Sequence, residues 1–332
     1  MTLTTAPAQF YTDPAIFARE RQAIFATSWL YLGLASDLVR TGDYLSDILA
    51  DFPIVVVRDE HGVLKGYHNV CRHRAGPLVG DGKGRCDHNF VCRFHAWEYD
   101  FSGRLTATGD FPLSAAVDHS QFGLFPIRVE TWRGFIFVNL DLKAAPLSDT
   151  LAPLDAAFGA PRFFPARLQH SHKVACNWKV FVENYLDGYH LEGVHPGLAS
   201  RAGDQRHDVS LVGQVALCAP QPERGEEKAL WAWVWPNLGF FLYRDVLLVE
   251  HMRPDGPGRT RLDHLYMHEP EDPRIDAAMA DSERLSDEDA WICERVQRNL
   301  AAGVYNQGVF APELEGAVAW FQNRIVQALS LG

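Results

Sequence analysis

Nowhere in the 332 residues does an apolar run approach the roughly 18 needed to cross a bilayer as a helix, which excludes a helical membrane anchor. The stretch Met1 to Phe10 lacks the basic and apolar regions of a secretory signal, so a cytoplasmic location is expected. Positive charge is in deficit. Against 42 Asp and Glu stand 31 Lys and Arg, a net charge of −11 that argues against nucleic acid or an anionic membrane as partner. Disulfide-like spacing is missing as well: of six cysteines, Cys86, Cys176, Cys218 and Cys293 read as free thiols of a reducing compartment. There is no dinucleotide fingerprint. Gly80-x-Gly82-x-Gly84 has no helix after it and no βαβ unit around it, so nicotinamide is not expected to bind this chain. The remainder is ordinary for a globular protein, 47% hydrophobic and 22% charged, and long enough for two domains.

What is present is concentrated between Cys71 and His95. Cys71-Arg72-His73-Arg74-Ala75-Gly76-Pro77 and Cys92-Arg93-Phe94-His95-Ala96-Trp97 set one Cys–His pair on each of two loops, with Gly76, Pro77, Gly80, Gly82 and Gly84 as turn material between them. One thiolate and one imidazole from each loop is the ligand set of a [2Fe–2S] cluster held by two Cys on one iron and two His on the other. Tetrahedral zinc accepts the same four ligands, but a zinc finger usually keeps its Cys in one pair and its His in the other. Mixed pairs beside turn glycines favour a Rieske centre over zinc, and over four unrelated residues. Cys86 fits neither half-motif.

Around these loops the pattern is one of short strands. Trp29 to Leu34, Gly42 to Ile48, Ile54 to Asp59, Leu64 to His68, Trp97 to Phe101, Arg104 to Thr108, Gly123 to Glu130 and Phe135 to Leu140 alternate or run apolar between Gly, Asp and Glu turns. Before them Asp13-Pro14 caps a helix, and after them Leu147 to Phe158 suits a short one in a proline-punctuated connection. The expected division is a helical segment over 1–28 that packs on the catalytic domain, a small β domain over 29–142, and a catalytic domain over 143–332.

In the second domain, Trp178, Phe181, Val182 and Tyr185 share one apolar face of a helix, and Asn184, Asp187 and His190 step along a flank near its end. Gly188 and Gly193 loosen it, and Pro196 stops it just after His195. Two His beside carboxylates at a broken helix end suit a mononuclear non-haem iron, which takes two His and one carboxylate on one face and keeps its other positions open. The missing carboxylate is sought in Asp287-Glu288-Asp289. Wound as a helix, Asp289, Cys293, Val296 and Leu300 fall on one inward face, where a metal would neutralise the charge of Asp289. Asp287 and Glu288 also read as first-turn acids, with Glu288 as the reserve ligand.

Trp231, Trp233 and Trp235 alternate on one strand face, either as sheet–helix filling or as an aromatic cage for a quaternary ammonium. His264 and His268 lie on an alternating strand that offers no partner acid, and read as structural or pocket-lining. Glu313 to Leu329 closes the chain as an amphipathic helix with Leu314, Val318, Phe321, Ile325 and Leu329 as its stripe.

The segments CRHRAGPL and CRFHAWEYD, the ENYLDGYH-x₄-HP stretch and the Glu288-Asp289 helix resemble the large subunits of the ring-hydroxylating Rieske oxygenases over nearly the whole chain. The C-terminal half is most similar to the choline, glycine-betaine and carnitine branch. The resemblance implies an α+β architecture, an all-β Rieske domain beside a helix-grip catalytic domain, arranged as a head-to-tail homotrimer in which a neighbour's cluster abuts Asp187. It implies a [2Fe–2S] cluster on Cys71, His73, Cys92 and His95, and mononuclear Fe(II) on His190, His195 and Asp289. Asp187 then bridges His190 to a cluster His of the neighbouring subunit, and Asn184 is a nearby polar residue. A separate NAD(P)H reductase, with or without a ferredoxin, would supply electrons so that O₂ is reduced and a C–H bond of a small molecule oxygenated. Monooxygenation or N-demethylation of a betaine- or choline-like compound leads. Hydroxylation or dioxygenation of an aromatic ring, and a plain electron carrier with an inert second domain, are the alternatives. Carnitine oxygenases carry Glu where this chain has Asp187, which makes carnitine the least supported of those substrates.

Overall fold

The computed structural model describes residues 4–109, 118–159, 166–197, 209–218, 229–243, 246–270 and 273–331. The chain forms two compact units, one of Phe25–Ser148 and one of Met1–Ile24 with Asp149–Gly332.

The first unit is β-rich. Strands β1 (Leu30–Leu34), β2 (Asp43–Leu49), β3 (Phe52–Arg58), β4 (Leu64–His68), β5 (Gly82–Arg85), β9 (Pro126–Trp132) and β10 (Phe135–Asn139) form a seven-stranded sheet in the order β1-β10-β9-β4-β3-β2-β5. Its centre is legible in β3, where Ile54 to Val57 are all buried, so both faces of the strand are covered. A smaller three-stranded sheet joins β6 (Phe90–Val91), β7 (Trp97–Tyr99) and β8 (Leu105–Thr108). Phe90, Trp97, Tyr99 and Phe101 pack with Val55, Val57 and Tyr67 into a core that also takes in Cys71 and Cys92. The glycine-rich insert is not turn material throughout. Gly82–Arg85 pairs with β2 as an exposed edge strand, because ladder hydrogen bonds need only backbone.

The second unit holds a seven-stranded antiparallel sheet of β11 (Ala166–Val174), β12 (Ser210–Val212), β13 (Val215–Cys218), β14 (Ala229–Val234), β15 (Leu238–Tyr243), β16 (Val246–Pro254) and β17 (Thr260–His268), in the order β11-β17-β16-β15-β14-β13-β12. Its helices are α1 (Gln9–Thr12), α2 (Pro14–Glu20), α3 (Leu147–Phe158), which begins at the boundary, α4 (Trp178–Leu186), α5 (Leu191–Val194), α6 (Ile275–Ala301) and α7 (Gly316–Leu331). No helix among the described residues is long and apolar enough to cross a membrane. Asp13 caps α2 by accepting from the Ala15 N–H at 2.8 Å, with Pro14 in the first turn. In α7 the stripe Val318, Phe321, Ile325 and Leu329 is buried, while Leu314 lies ahead of the helix and is exposed.

Register settles the tryptophan stripe. Trp233 is fully buried and meets Trp235, Trp320 and Phe321 at ring-centroid distances of 6.3, 5.8 and 5.5 Å, so Trp233 and Trp235 are core. Trp231 is different: it is partly exposed and stacks on Tyr185 of α4 at 5.2 Å.

The N-terminal segment is tied to α4 by a buried polar chain. Gln322 Nε2 donates to Tyr11 Oη at 2.8 Å, and Tyr11 donates to Glu183 Oε1 at 2.7 Å. Burial pushes the Glu183 carboxyl up to about 7 despite these bonds and the nearby Lys179. A carboxyl raised in the folded state is harmless below its unfolded pKa and increasingly destabilising as pH rises through its folded one. Glu183→Gln is therefore expected to change little near pH 4.5 and to stabilise by about 3 kcal/mol at pH 8. Urea midpoints of both proteins at the two pH values test this, and a pH-independent difference would contradict it.

Candidate functional site

Two loops of the first unit carry the Cys–His pairs, and they are built alike. In each, the Cys N–H donates to the carbonyl five residues on (Gly76 at 2.8 Å, Trp97 at 2.9 Å), and its own carbonyl accepts from the N–H four residues on (Ala75 at 3.0 Å, Ala96 at 2.9 Å). Closing so tight a loop forces Ala75 and Ala96 into the left-handed region, at φ 57° and 54°. The repetition turns Cys71 and Cys92 inward, where both are buried, and leaves His73 and His95 exposed with ring centroids 4.5 Å apart. His73 stacks flat on Trp97 at 4.9 Å, which fixes its plane. Gly76 is needed for the approach of the loops, since a Cβ there would stand 2.9 Å from Cys92 Sγ.

Sequence reasoning missed Tyr99. The Arg72 N–H donates to its oxygen at 3.0 Å, and the same oxygen lies 3.3 Å from Cys71 Sγ, where the phenol can donate to a thiolate. Burial pushes the Cys92 thiol up, and the neighbouring Cys71 adds to this, an opposition to ionisation that a bound metal would overcome. Two inward sulfurs and two outward imidazoles fit a [2Fe–2S] cluster of the Rieske kind, with a donor to sulfur of the sort that tunes such centres.

The second unit brings His190, His195 and Asp289 together. One ligand atom from each lies within 4.8 Å of the others, the sole such group of His, Cys, Asp and Glu among the described residues. Helix α4 ends at Leu186, Asp187 is extended, and α5 starts after His190 and stops at His195. Each imidazole points Nε2 at Asp289 Oδ1, at 3.6 Å from His190 and 2.9 Å from His195. The other ring nitrogens meet carboxylates. His190 Nδ1 is 3.6 Å from Asp187 Oδ2, and His195 Nδ1 is 2.6 Å from Glu288 Oε2. Asp187 is itself held by accepting from the Tyr189 N–H at 2.7 Å, and Glu288 by Arg284 at 2.8 Å. Asn184 Nδ2 donates to Asp289 Oδ1 at 2.7 Å.

The electrostatics follow from this crowding. Burial alone would raise Asp289, but His190, His195 and Asn184 outweigh it and hold the carboxyl at about 2. Burial would lower His190, but Asp187 and Asp289 lift it to about 9. His195 is raised chiefly by Asp289, and Glu288 is lowered chiefly by His195. Two imidazoles sharing one ionised carboxylate are the donor set of the 2-His-1-carboxylate site, and they fit a non-haem iron.

Three expectations need correction. Glu288, the reserve ligand, sits on the far nitrogen of His195 rather than in the triad. The inward face of α6 runs through Asp289, Cys293 and Gln297. Gln297 accepts from the Asn177 N–H at 2.9 Å while Val296 is exposed, because the face follows the polar ends of α1 and α4 as well as the apolar core. His264 does have a partner acid: the neighbouring strand places Glu250 Oε1 3.2 Å from its Nε2.

The ring hydroxylating alpha subunit catalytic-domain family matches residues 165–331, and the Rieske [2Fe-2S] domain matches residues 28–117. The chloroplastic choline monooxygenase of Arabidopsis thaliana is 30% identical over 338 residues, covering 93% of this chain and 79% of the relative. The carnitine monooxygenase oxygenase subunit of Escherichia coli K12 is 31% identical over 246 residues, or 70% of this chain and 66% of that one. The solved structure of the quaternary ammonium Rieske monooxygenase CntA with L-carnitine has a TM-score of 0.85 at 27% identity, covering 98% of this chain and 95% of that one. Naphthalene 1,2-dioxygenase from Rhodococcus sp. shares the fold, with a TM-score of 0.77 at 20% identity, and covers 98% of this chain and 94% of that one. A matched catalytic domain sets aside the plain electron carrier. The chain belongs to the alpha subunits of the ring-hydroxylating Rieske oxygenases, oxidoreductases that join a [2Fe–2S] domain to a mononuclear iron domain and depend on electron-transfer partners and a small-molecule substrate.

Proposed function

We propose that this chain is the terminal oxygenase of a system that monooxygenates or N-demethylates a quaternary ammonium compound of the choline or betaine type. The convergence of His190, His195 and Asp289 within 4.8 Å carries the oxygenase reading. The substrate class is supported by the choline and carnitine monooxygenases that the chain resembles. In this reading residues 29–142 form the cluster domain, with Cys71, His73, Cys92 and His95 as ligands. Residues 143–332 form the catalytic domain, with 1–28 packed on it.

When bound, the iron supplies reductive activation of O₂ with electrons delivered singly by the cluster. The rest is work for the chain's own side chains. Glu288 accepts the Nδ1–H of His195 at 2.6 Å, fixing the tautomer that leaves its Nε2 free, while the Asp187 carboxylate stands 3.6 Å from His190 Nδ1. Asn184 restrains the Asp289 carboxylate by its 2.7 Å bond. Asp187 is the bridge toward a cluster histidine of the next subunit in a homotrimer, a reading supported by a quaternary ammonium Rieske monooxygenase structure described in terms of inter-subunit electron transfer. A separate NAD(P)H reductase, with or without a ferredoxin, feeds the cluster, and the assembly works in the cytoplasm.

The test is turnover of choline, glycine betaine and carnitine, with naphthalene as the aromatic control, by protein purified with both metal centres and supplied with NADH and a reductase. Formaldehyde or an aldehyde product from an ammonium compound is expected. A cis-diol from naphthalene with no product from the ammonium compounds would reverse the reading.

A further inference from the structure

Two cysteines that neither metal site uses meet where β11 runs into α4. Cys176 lies between the end of β11 and Asn177, the cap of α4, and Cys293 lies on α6 one turn beyond Asp289. Hydrogen bonds on either side of Cys176 fix it against that helix. The Ala175 N–H donates to Glu294 Oε1 at 3.0 Å and the Asn177 N–H to Gln297 Oε1 at 2.9 Å. The residue between them is thereby brought to Cys293, whose thiol donates a hydrogen bond to the Cys176 sulfur.

The surroundings are not those of cysteines used as small apolar filler. The seam is polar: besides the bonds to Glu294 and Gln297, the Thr260 hydroxyl donates to the Cys176 carbonyl at 2.8 Å and Asn177 Nδ2 to the Pro257 carbonyl at 2.7 Å. The other polar contacts of the two sulfurs are long, 3.9 Å from Cys176 Sγ to Thr260 Oγ1 and 4.0 Å from Cys293 Sγ to the Val180 carbonyl. Both cysteines are sealed from solvent, at 0% and 2% exposure, whereas Cys86 and Cys218 are half-buried. An oxidant in bulk solvent therefore meets Cys86 and Cys218 first. One released beside Asp289 is a single helical turn from the sealed pair.

We infer that Cys176 and Cys293 are a redox-active dithiol that hydrogen peroxide released at the neighbouring metal site closes into a disulfide. When O₂ takes up two electrons and two protons with no C–H bond in place to oxygenate, it leaves as hydrogen peroxide. One cysteine thiolate attacks the O–O bond, giving a sulfenic acid and a water; the second sulfur then displaces the hydroxyl, which leaves as another water. The two sulfurs lose two electrons in all, the O–O bond is broken, and both thiol protons end in water. A dithiol reductant reopens the bond, as is usual where a disulfide forms in a reducing compartment. The pair thus consumes peroxide a turn away from Asp289, before it reaches the imidazoles of His190 and His195. The inference goes beyond the proposed function and rests on the oxygenase reading only for the source of the peroxide.

The test has two arms on anaerobically purified holoprotein, each followed by an acid quench, alkylation of the denatured chain and peptide mapping. In the first, hydrogen peroxide is added directly. In the second, the protein is reduced and exposed to air repeatedly, with no substrate present and with catalase in the solution. Both arms are expected to yield a peptide pair that joins Cys176 to Cys293, lighter by two hydrogens than the separate peptides and split by dithiothreitol. Asp289→Ala should give it in the first arm only. Cys293→Ser should give it in neither, and should lose mononuclear iron several-fold faster than wild type over the cycles of the second arm. Wild type decides the pairing whether or not the variants fold: Cys176 and Cys293 recovered as thiols in both arms, or one of them carried to sulfinic acid without a disulfide, overturns it. A disulfide in the first arm alone keeps the pair and overturns the metal site as its source of oxidant, leaving the oxygenase reading to its own turnover test. Equal iron loss in folded Cys293→Ser and wild type overturns the protective role.

Discussion

Asp289→Ala is expected to yield protein with its full acid-labile sulfide and Rieske absorption but without the mononuclear iron, and with no detectable oxygenation. The carboxylate is the one anionic group to which both imidazoles turn, with Oδ1 2.9 Å from His195 Nε2 and 3.6 Å from His190 Nε2. Removing it leaves two neutral donors and no charge compensation for a dication, so the loss falls on iron binding. His190→Ala should give the same result. Glu288→Gln should differ in degree: it keeps all three ligands and loosens only the grip on His195 Nδ1, a change that typically weakens metal affinity about 10–100-fold. Iron and sulfide determination on anaerobically purified protein separates these outcomes. Full iron in Asp289→Ala would show that the third ligand lies elsewhere, and full affinity in Glu288→Gln would show that His195 is held without it.

The parts of the molecule that could be read from sequence are those whose information is local. Each Cys–His pair sits within one short loop, and the strands around them are marked by turn residues. Asp13-Pro14, Leu147–Phe158 and the α4 pattern likewise announce themselves within a few residues. Asp289 was within reach because a helix projects its face from one stretch, although that face proved to include Gln297 and exclude Val296. What stayed hidden depends on partners far apart in the chain. Glu250 meets His264 through strand register, Glu288 and Asp289 are told apart by which nitrogen of His195 each reaches, and Tyr99 faces Cys71 only once the small sheet closes. A stripe of alternating indoles cannot say which one a helix will leave open. Trp233 is covered by Trp320 and Phe321 of α7, whereas Trp231 stacks on Tyr185 of α4.

Glu20→Ala is expected to be the most damaging single change outside the metal sites. Glu20 ends α2 and is fully buried; Lys179, in the first turn of α4, is 2% exposed and places Nζ 2.5 Å from its Oε1. The second oxygen accepts from Trp178 Nε1 at 2.9 Å, so both carboxylate oxygens are engaged. Burial pulls the Lys179 ammonium down from its ordinary value, and Glu20 is the main influence opposing this. Deleting the acid takes away the ammonium's hydrogen-bonded counter-charge and leaves it among Trp178, Tyr11 and α2 with only the more distant Glu183 to oppose its burial, a loss that typically costs about 3–5 kcal/mol. For a unit of this size such a loss corresponds to a fall in melting temperature on the order of 10 °C. The double variant Glu20→Leu with Lys179→Met should recover most of it, since the cost lies in the unpaired charge rather than in the loss of the pair. Because α4 leads directly into Asp187, His190 and His195, the single variant should also lose mononuclear iron on mild warming before its Rieske spectrum fades. Calorimetry and iron retention against temperature decide the matter: a single variant as stable as wild type would mean that Lys179 finds water or another acid, and a double variant as weak as the single would mean that the pair itself, not the stranded charge, holds α2 to α4.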